Sequence, residues 1–294
     1  MQPYLKFWGT RGSTPICEKE SQHYGGNTCC LEVSTPLTCL IIDAGTGIRK
    51  LGDELCKKNV DEIHIFFTHA HLDHLIGLPF FKPLYCEKKI IHFWCPQQER
   101  SFKSIIETLF LPETFPVGLN DFKAQIHFHD VIEGHPILLN DVQIESYPCF
   151  HPGKTLAYKL DYQNFKVGYC SDNEFLGELE PSNNITDSLI EPYQSFIDFF
   201  KNCDLLIHEA QYTVNEYKKK KGWGHSSLIN AAWLIYLTQT KRWVITHHDP
   251  SYDDKTLDEN KKFAEVFLKE KKLNCKIELA YDGFEIFLNN KSEH

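Results

Sequence analysis

The sequence predicts a layered α/β protein, and three observations carry that expectation. Apolar runs of strand length alternate with stretches of helical periodicity along the 294 residues. Several of those runs stop abruptly in loops rich in histidine and aspartate, the place where open α/β sheets keep their sites. Hydrophobic residues make up 42% and charged residues 24% of the chain, ordinary for a globular protein with a core of its own. The length suits one domain spanning residues 1–294.

Tyr4–Trp8 reads as the first strand, followed by the glycine-rich loop Gly9-Thr10-Arg11-Gly12-Ser13-Thr14-Pro15. A lone glycine loop is a weak sign of phosphate binding, and a tight turn explains it equally well. The turn at Tyr24-Gly25-Gly26-Asn27-Thr28 leads into strands Cys29–Ser34 and Leu37–Ile42, and Asp43-Ala44-Gly45-Thr46-Gly47 opens a helix to about Lys57. Strand Glu62–Phe67 comes next, then strand Ile90–Trp94, helix Gln98–Leu109, and strands Phe122–His129 and Val142–Tyr147. Thr155–Leu160 and Phe165–Tyr169 form a hairpin. Residues 181–194 read as irregular, with Pro181, Asn183, Asn184 and Pro192 as breakers. A helix containing Ile197–Phe200, strand Leu205–Ile207, a helix to Leu237 capped by Ser226 or Ser227, strand Arg242–Thr246, a helix near Leu257–Lys269 and a strand pair around Ile277–Phe287 complete the order.

The chemistry concentrates in Thr68-His69-Ala70-His71-Leu72-Asp73-His74, directly after the strand ending at Phe67. Three imidazoles and a carboxylate within six residues are the ligand types of a divalent metal, and a solvated surface cluster is the blander alternative. Asp73 and His74 open a short helix. His127 and His129 share one face of their strand beside Asp130, where hydrogen-bonded strand histidines explain them better than a second site.

A net charge of −9 leaves no global basic field for nucleic acid. The run Lys218–Lys221 reads as a solvated loop, with a pocket wall as its functional alternative. Eleven scattered cysteines, none in a C-x-x-C pair, suit a reduced compartment without a disulfide framework. Without a signal-like N-terminal segment or a membrane-length apolar stretch, a cytoplasmic protein is expected.

The stretch His69–His74 resembles the H-x-H-x-D-H signature of the metallo-β-lactamase superfamily. The opening WGTRGSTP, YGGNT and DAGTG resembles that superfamily's cyclic phosphodiesterase-like metallohydrolases. The resemblance spans Phe7 to Phe287 and implies a four-layer αββα sandwich with two similar halves. It also implies two divalent ions, zinc foremost with manganese or iron as alternatives. His69, His71 and His151 would hold one; Asp73, His74 and His247 the other; Asp172 would bridge them. Hydrolysis would then run through a metal-bridging hydroxide. His71 stands where the redox branch, the flavodiiron proteins, has glutamate, which favours a hydrolase.

His208-Glu209-Ala210-Gln211 and Gly224-His225-Ser226 resemble the H-E-A-T and G-H-S motifs of ribonuclease Z, with Gln211 in place of threonine. By that resemblance Glu209 orients His225, which contacts a phosphate oxygen or protonates the leaving alcohol; Asp73, Glu209 and His225 are the catalytic set. Only 20 residues separate His151 from Asp172, too few for the tRNA-binding arm of ribonuclease Z. The 74 between Asp172 and His247 leave no room for the inserted domain of the β-CASP nucleases. The expectation is a phosphodiesterase for a small phosphodiester such as a cyclic nucleotide, with His225, Lys154 and Arg11 as substrate contacts. It needs no large nucleic acid and no membrane, and a homodimer is compatible with it. The alternative is a ribonuclease Z-like nuclease acting on short or single-stranded nucleic acid. A scaffold or nucleotide sensor would require an incomplete ligand set, and all seven ligands are present.

Overall fold

The computed structural model of the chain describes residues 2–58, 60–180 and 184–288; Pro181 and Asn183, read above as breakers, lie outside them. The first half holds β1 (Tyr4–Gly9), β2 (Cys30–Ser34), β3 (Cys39–Ile42), α1 (Ile48–Lys57), β4 (Glu62–Phe66), β5 (Ile90–Pro96), α2 (Phe102–Leu109) and β6 (Gln125–Val131). The second holds β7 (Ile137–Leu139), β8 (Val142–Pro148), β9 (Leu156–Tyr162), β10 (Phe165–Cys170), α3 (Asp187–Ile190), α4 (Gln194–Phe200), β11 (Leu205–Glu209), α5 (Val214–Lys220), α6 (Leu228–Thr238), β12 (Arg242–Thr246), α7 (Asp254–Glu270), β13 (Lys276–Leu279) and β14 (Glu285–Phe287).

Two seven-stranded sheets result, ordered β14-β1-β2-β3-β4-β5-β6 and β13-β12-β11-β10-β9-β8-β7. In each, a run of parallel strands (β3 to β6, and β10 to β13) continues into an antiparallel one. The period-two alternation of β4 shows why they stack. Ile63 and Ile65 face α1 and α2, while Phe66 turns to the opposite sheet. In β12, Trp243 and Ile245 face α4, α6 and α7 while Val244 points inward. Three apolar layers therefore lie helix to sheet, sheet to sheet and sheet to helix, and the αββα sandwich follows. The Tyr158 hydroxyl ties the sheets together by donating to the Phe67 carbonyl at 2.6 Å, directly beneath the histidine-rich loop.

Three local expectations are corrected. Helix α2 begins at Phe102, because Gln98–Ser101 has no apolar face to bury. Residues 187–194 are helical instead of irregular, since Pro192 sits in the first turn of a 3-10 segment (Glu191–Tyr193), where its missing N–H costs nothing. The short helix expected at Asp73 and His74 is present as the 3-10 turn Leu72–His74. The lysine run is not a loop: Lys218, Lys219 and Lys220 form the last turn of α5, where cations suit the helix dipole. Ser227, not Ser226, caps α6 by accepting the Asn230 N–H. Among the described residues no helix is long and apolar enough to cross a membrane.

Candidate metal centre

The strand ends bring all seven expected side chains to one place. The loop after β4 presents His69, His71, Asp73 and His74; the ends of β8, β10 and β12 add His151, Asp172 and His247. His151 Nε2 lies 3.0 Å from His71 Nδ1, with His69 close enough for all three to share an ion. On the other side, Asp73 Oδ2 is 3.3 Å from the Nε2 atoms of both His74 and His247. Asp172 stands between the groups. Its Oδ1 is 3.2 Å from His247 and 3.9 Å from His69, and its Oδ2 is 3.3 Å from His74.

Outer contacts aim three of the imidazoles. His74 Nδ1 meets Asp43 Oδ2 at 2.9 Å, His151 Nδ1 the Gly224 carbonyl at 2.7 Å, and His247 Nδ1 the Gln211 Oε1 at 2.8 Å. Each contact fixes the Nδ1–H tautomer and turns the Nε2 lone pair inward, as carbonyls and carboxylates behind metal-ligating histidines do. Ser13 N–H donates to Asp73 Oδ2 at 2.8 Å. Gly12 has to be glycine, because a Cβ there would sit 2.4 Å from the His247 ring. The glycine-rich loop thus packs against the ligands. Asp43 and His247 both hold left-handed backbone, φ 63° and 54°, a strain that gathers at functional sites.

The electrostatics fit cations. His69 Nε2, His74 Nε2 and Asp172 Oδ2 are buried and lack a hydrogen-bond partner. Convergent orphaned donor atoms are a costly arrangement unless something binds them. Burial lowers the imidazoliums of His69, His71 and His151, leaving the neutral form that carries a ligating lone pair. For Asp172, burial alone would raise the carboxyl, and the facing His247, His74 and His69 outweigh it. Three buried carboxylates, Asp43, Asp73 and Asp172, crowd His74. The donor set of imidazole and carboxylate suits zinc, manganese or iron. Cys29 also approaches His74 and His247. Its S–H donates to the Arg11 carbonyl and burial raises the thiol, which keeps it protonated.

Beside this cluster His225 Nδ1 is 3.0 Å from Glu209 Oε1 and 3.9 Å from Asp172 Oδ1. Glu209 is wholly buried at the end of β11. Burial raises its carboxyl, while the N–H groups of Asn173 (2.8 Å), Gln211 (3.2 Å) and Ser226 (3.2 Å) solvate it as the carboxylate.

One expected substrate contact, Arg11, is corrected, and another, Lys154, has an acidic partner. Arg11 is fully buried; its Nε donates to Gly25 O (2.9 Å) and its Nη1 to Asp249 O (3.2 Å) and Tyr252 O (2.9 Å), so it staples loops. Lys154 is ion-paired with Glu133. Of the lysine run, Lys218 pairs with Glu180 and Lys220 with Asp249, whereas Lys221 lines a 390 Å³ cavity with Phe150, His151 and Tyr193.

Three residues escape sequence reasoning. Asp43 also accepts Thr68 N–H at 2.8 Å and so anchors the start of the ligand loop; its signal was the DAGTG turn. Gln211 serves His247. Glu174, which carries no motif, accepts the Tyr217 hydroxyl (2.7 Å), Gly222 N–H (2.8 Å) and Gly224 N–H (2.9 Å). It thereby holds the loop whose Gly224 carbonyl orients His151.

A family model described as a Beta-lactamase superfamily domain matches residues 38–248. Ribonuclease Z of Prochlorococcus marinus (strain MIT 9515) is 24% identical over 297 residues, covering 86% of this chain and 90% of that protein. Among solved structures, a diphosphatase from the PhnP family superposes with TM-score 0.65 at 17% identity, covering 98% of each chain. Unliganded yeast PDE1 superposes with TM-score 0.66 at 14% identity, covering 98% of this chain and 100% of that one. The family match runs from the start of β3 to the histidines that end β12, over the same sandwich that assembles the ligand cluster, and the chain accordingly belongs to the metallo-β-lactamase superfamily.

Proposed function

We propose that this metallo-β-lactamase-fold hydrolase is a phosphodiesterase that cleaves a small phosphodiester, a cyclic nucleotide or related cyclic phosphate, in the cytoplasm. The observation that carries the reading is the Glu209–His225 pair set against the ligand cluster. His69, His71 and His151 would hold one ion and Asp73, His74 and His247 a second, with Asp172 between them. Zinc is the best match to this nitrogen-rich set, and when bound such ions acidify water and polarise a phosphoryl oxygen.

The chain's own residues supply the rest. Glu209 holds the proton of His225 on Nδ1, so Nε2 is the nitrogen that meets substrate. Burial lowers the His225 imidazolium, and the Asp172 and Asp73 carboxylates oppose that; when protonated, His225 would donate from Nε2 to a non-bridging phosphate oxygen and then hand that proton to the departing alkoxide. The 390 Å³ cavity beside His151 is of small-molecule size; Phe150 and Tyr193 offer it ring faces and Lys221 a charge for an anionic group. Neighbours named ribonuclease Z and diphosphatase support phosphorus chemistry.

The ribonuclease reading is kept because that relative aligns with 86% of the chain. Against it, the 20 residues between His151 and Asp172 are used by the β9–β10 hairpin, and the net charge is −9.

The test is turnover of a panel by metal-loaded protein: bis-p-nitrophenyl phosphate, 3′,5′- and 2′,3′-cyclic nucleotides and a short RNA. The expected result is preferential cleavage of one cyclic mononucleotide. It should be abolished in His69→Ala and slowed about 10²- to 10⁴-fold in His225→Asn at unchanged metal content. Cleavage of RNA alone would transfer the assignment to the nuclease, and no phosphodiester cleavage at all would overturn both.

A further inference from the structure

A second set of ligand-type side chains lies on the same sheet, away from the centre described above. On the inward face of β4, β5 and β6, His64, His92 and His127 are direct cross-strand neighbours. Their rings stack at 4.6 Å (His64–His92) and 5.0 Å (His92–His127). Two residues before His64, on the same face, is Glu62. Its Oε1 is 3.0 Å from His92 Nε2 and 3.6 Å from His64 Nε2. Glu62 and His64 precede His69 by seven and five residues of extended chain. At roughly 3.3 Å per residue this places the groups up to about 17–23 Å apart along the chain.

We propose that Glu62, His64 and His92 form an additional binding site for a zinc-class divalent ion. One carboxylate oxygen and two imidazole nitrogens converge within 4.8 Å of one another, a donor set that zinc accepts with water completing its coordination. His92 is already oriented for ligation. Its Nδ1 is 2.8 Å from His129 Nε2, so an Nδ1–H donated there leaves the Nε2 lone pair facing Glu62. His92 Nε2 is buried without a geometrically sound hydrogen bond. Burial, reinforced by the neighbouring His92 imidazole, lowers His64 to about 4, which keeps that imidazole neutral.

His64 is the weakest member. Trp94 Nε1–H donates to its Nδ1 at 3.2 Å, so the His64 proton sits on Nε2. Ligation through Nε2 sends that proton to solvent, returns one to Nδ1 and breaks the indole contact. Glu62 and His92 therefore decide the affinity. His129 is the positioning residue behind His92, and His127, which is exposed, stacks on it without ligating.

The experiment is zinc binding by the full chain, stripped with a chelator and dialysed against buffers of rising free zinc, with bound metal measured by plasma mass spectrometry. Glu62→Gln alters an exposed side chain and serves as the variant least prone to misfold; His92→Asn is the second. Both should lose one zinc equivalent bound by the parent, or bind it at least tenfold more weakly. Glu62→Gln should leave turnover of bis-p-nitrophenyl phosphate unchanged. His69→Ala should keep this equivalent while losing metal from the other centre, which separates this proposal from the catalytic one. Zinc isotherms of Glu62→Gln and His92→Asn that overlay the parent's would overturn it.

Discussion

Asp43 illustrates how one residue works through another. It ends β3 in a left-handed conformation and accepts both Thr68 N–H and His74 Nδ1–H. It thus sets the start of the ligand loop and the direction of one of its imidazoles. Asp43→Asn keeps the shape but loses the charge, and its amide can present N–H to His74. Metal affinity should fall about 10- to 100-fold, read by zinc competition against a chromophoric chelator; an unchanged affinity would remove Asp43 from the centre's support. Gln211 belongs to the same class. Its departure from threonine reads as a change in motif, yet its Oε1 receives His247 Nδ1–H.

At the scale of elements, the site is a set of strand ends joined by loops that depend on one another. The carboxylate of Glu174, just beyond β10, binds the backbone of Gly222 and Gly224, and Gly224 in turn accepts His151 Nδ1–H. In Glu174→Gln an NH₂ faces one of those N–H donors. A buried or half-buried donor left unmatched costs about 1–3 kcal/mol. Thermal midpoints should drop by several degrees, and a metal bound through His151 would dissociate more readily than from the parent during a timed chelator challenge. Equal midpoints and equal release would show that the loop holds itself. Here the sequence was only partly legible. The seven candidate ligands and the Glu209–His225 pair were readable because motifs mark them, and the structure does bring them together. Helix α5 was readable in principle, since Thr213 and Glu216 form a capping box, but its lysines drew attention to charge instead. The three-residue strand β7 is too short for any period.

Across the whole molecule, the three apolar layers hold several imidazoles neutral. Burial lowers His64 and His208 to about 4 each. In the unfolded chain both titrate near 6.5, so between pH 6.5 and 4 the unfolded state binds more protons than the fold. Stability from these groups is complete above pH 6.5 and lost as pH falls through that window. For chelator-treated protein the thermal midpoint should be level from pH 8 to 7 and fall by several degrees from pH 6.5 to 4.5. A flat midpoint across the lower interval would mean that the two side chains ionise inside the fold.

The sequence by itself determined the alternation of strand and helix, the strand ends at which ligands gather, and the superfamily. These are local properties: side-chain period along a few residues and donor types at short spacing. Only the tertiary structure decided what Arg11, Lys154, Glu174 and Asp43 do. Arg11 and Lys154 are cations that an anionic substrate would suit, but Arg11 lies in the interior bonded to carbonyls and Lys154 is taken by Glu133. Glu174 and Asp43 act because folding sets a carboxylate against backbone or imidazole donors from distant parts of the chain. Such pairings depend on sheet register and layer packing, which no single segment encodes.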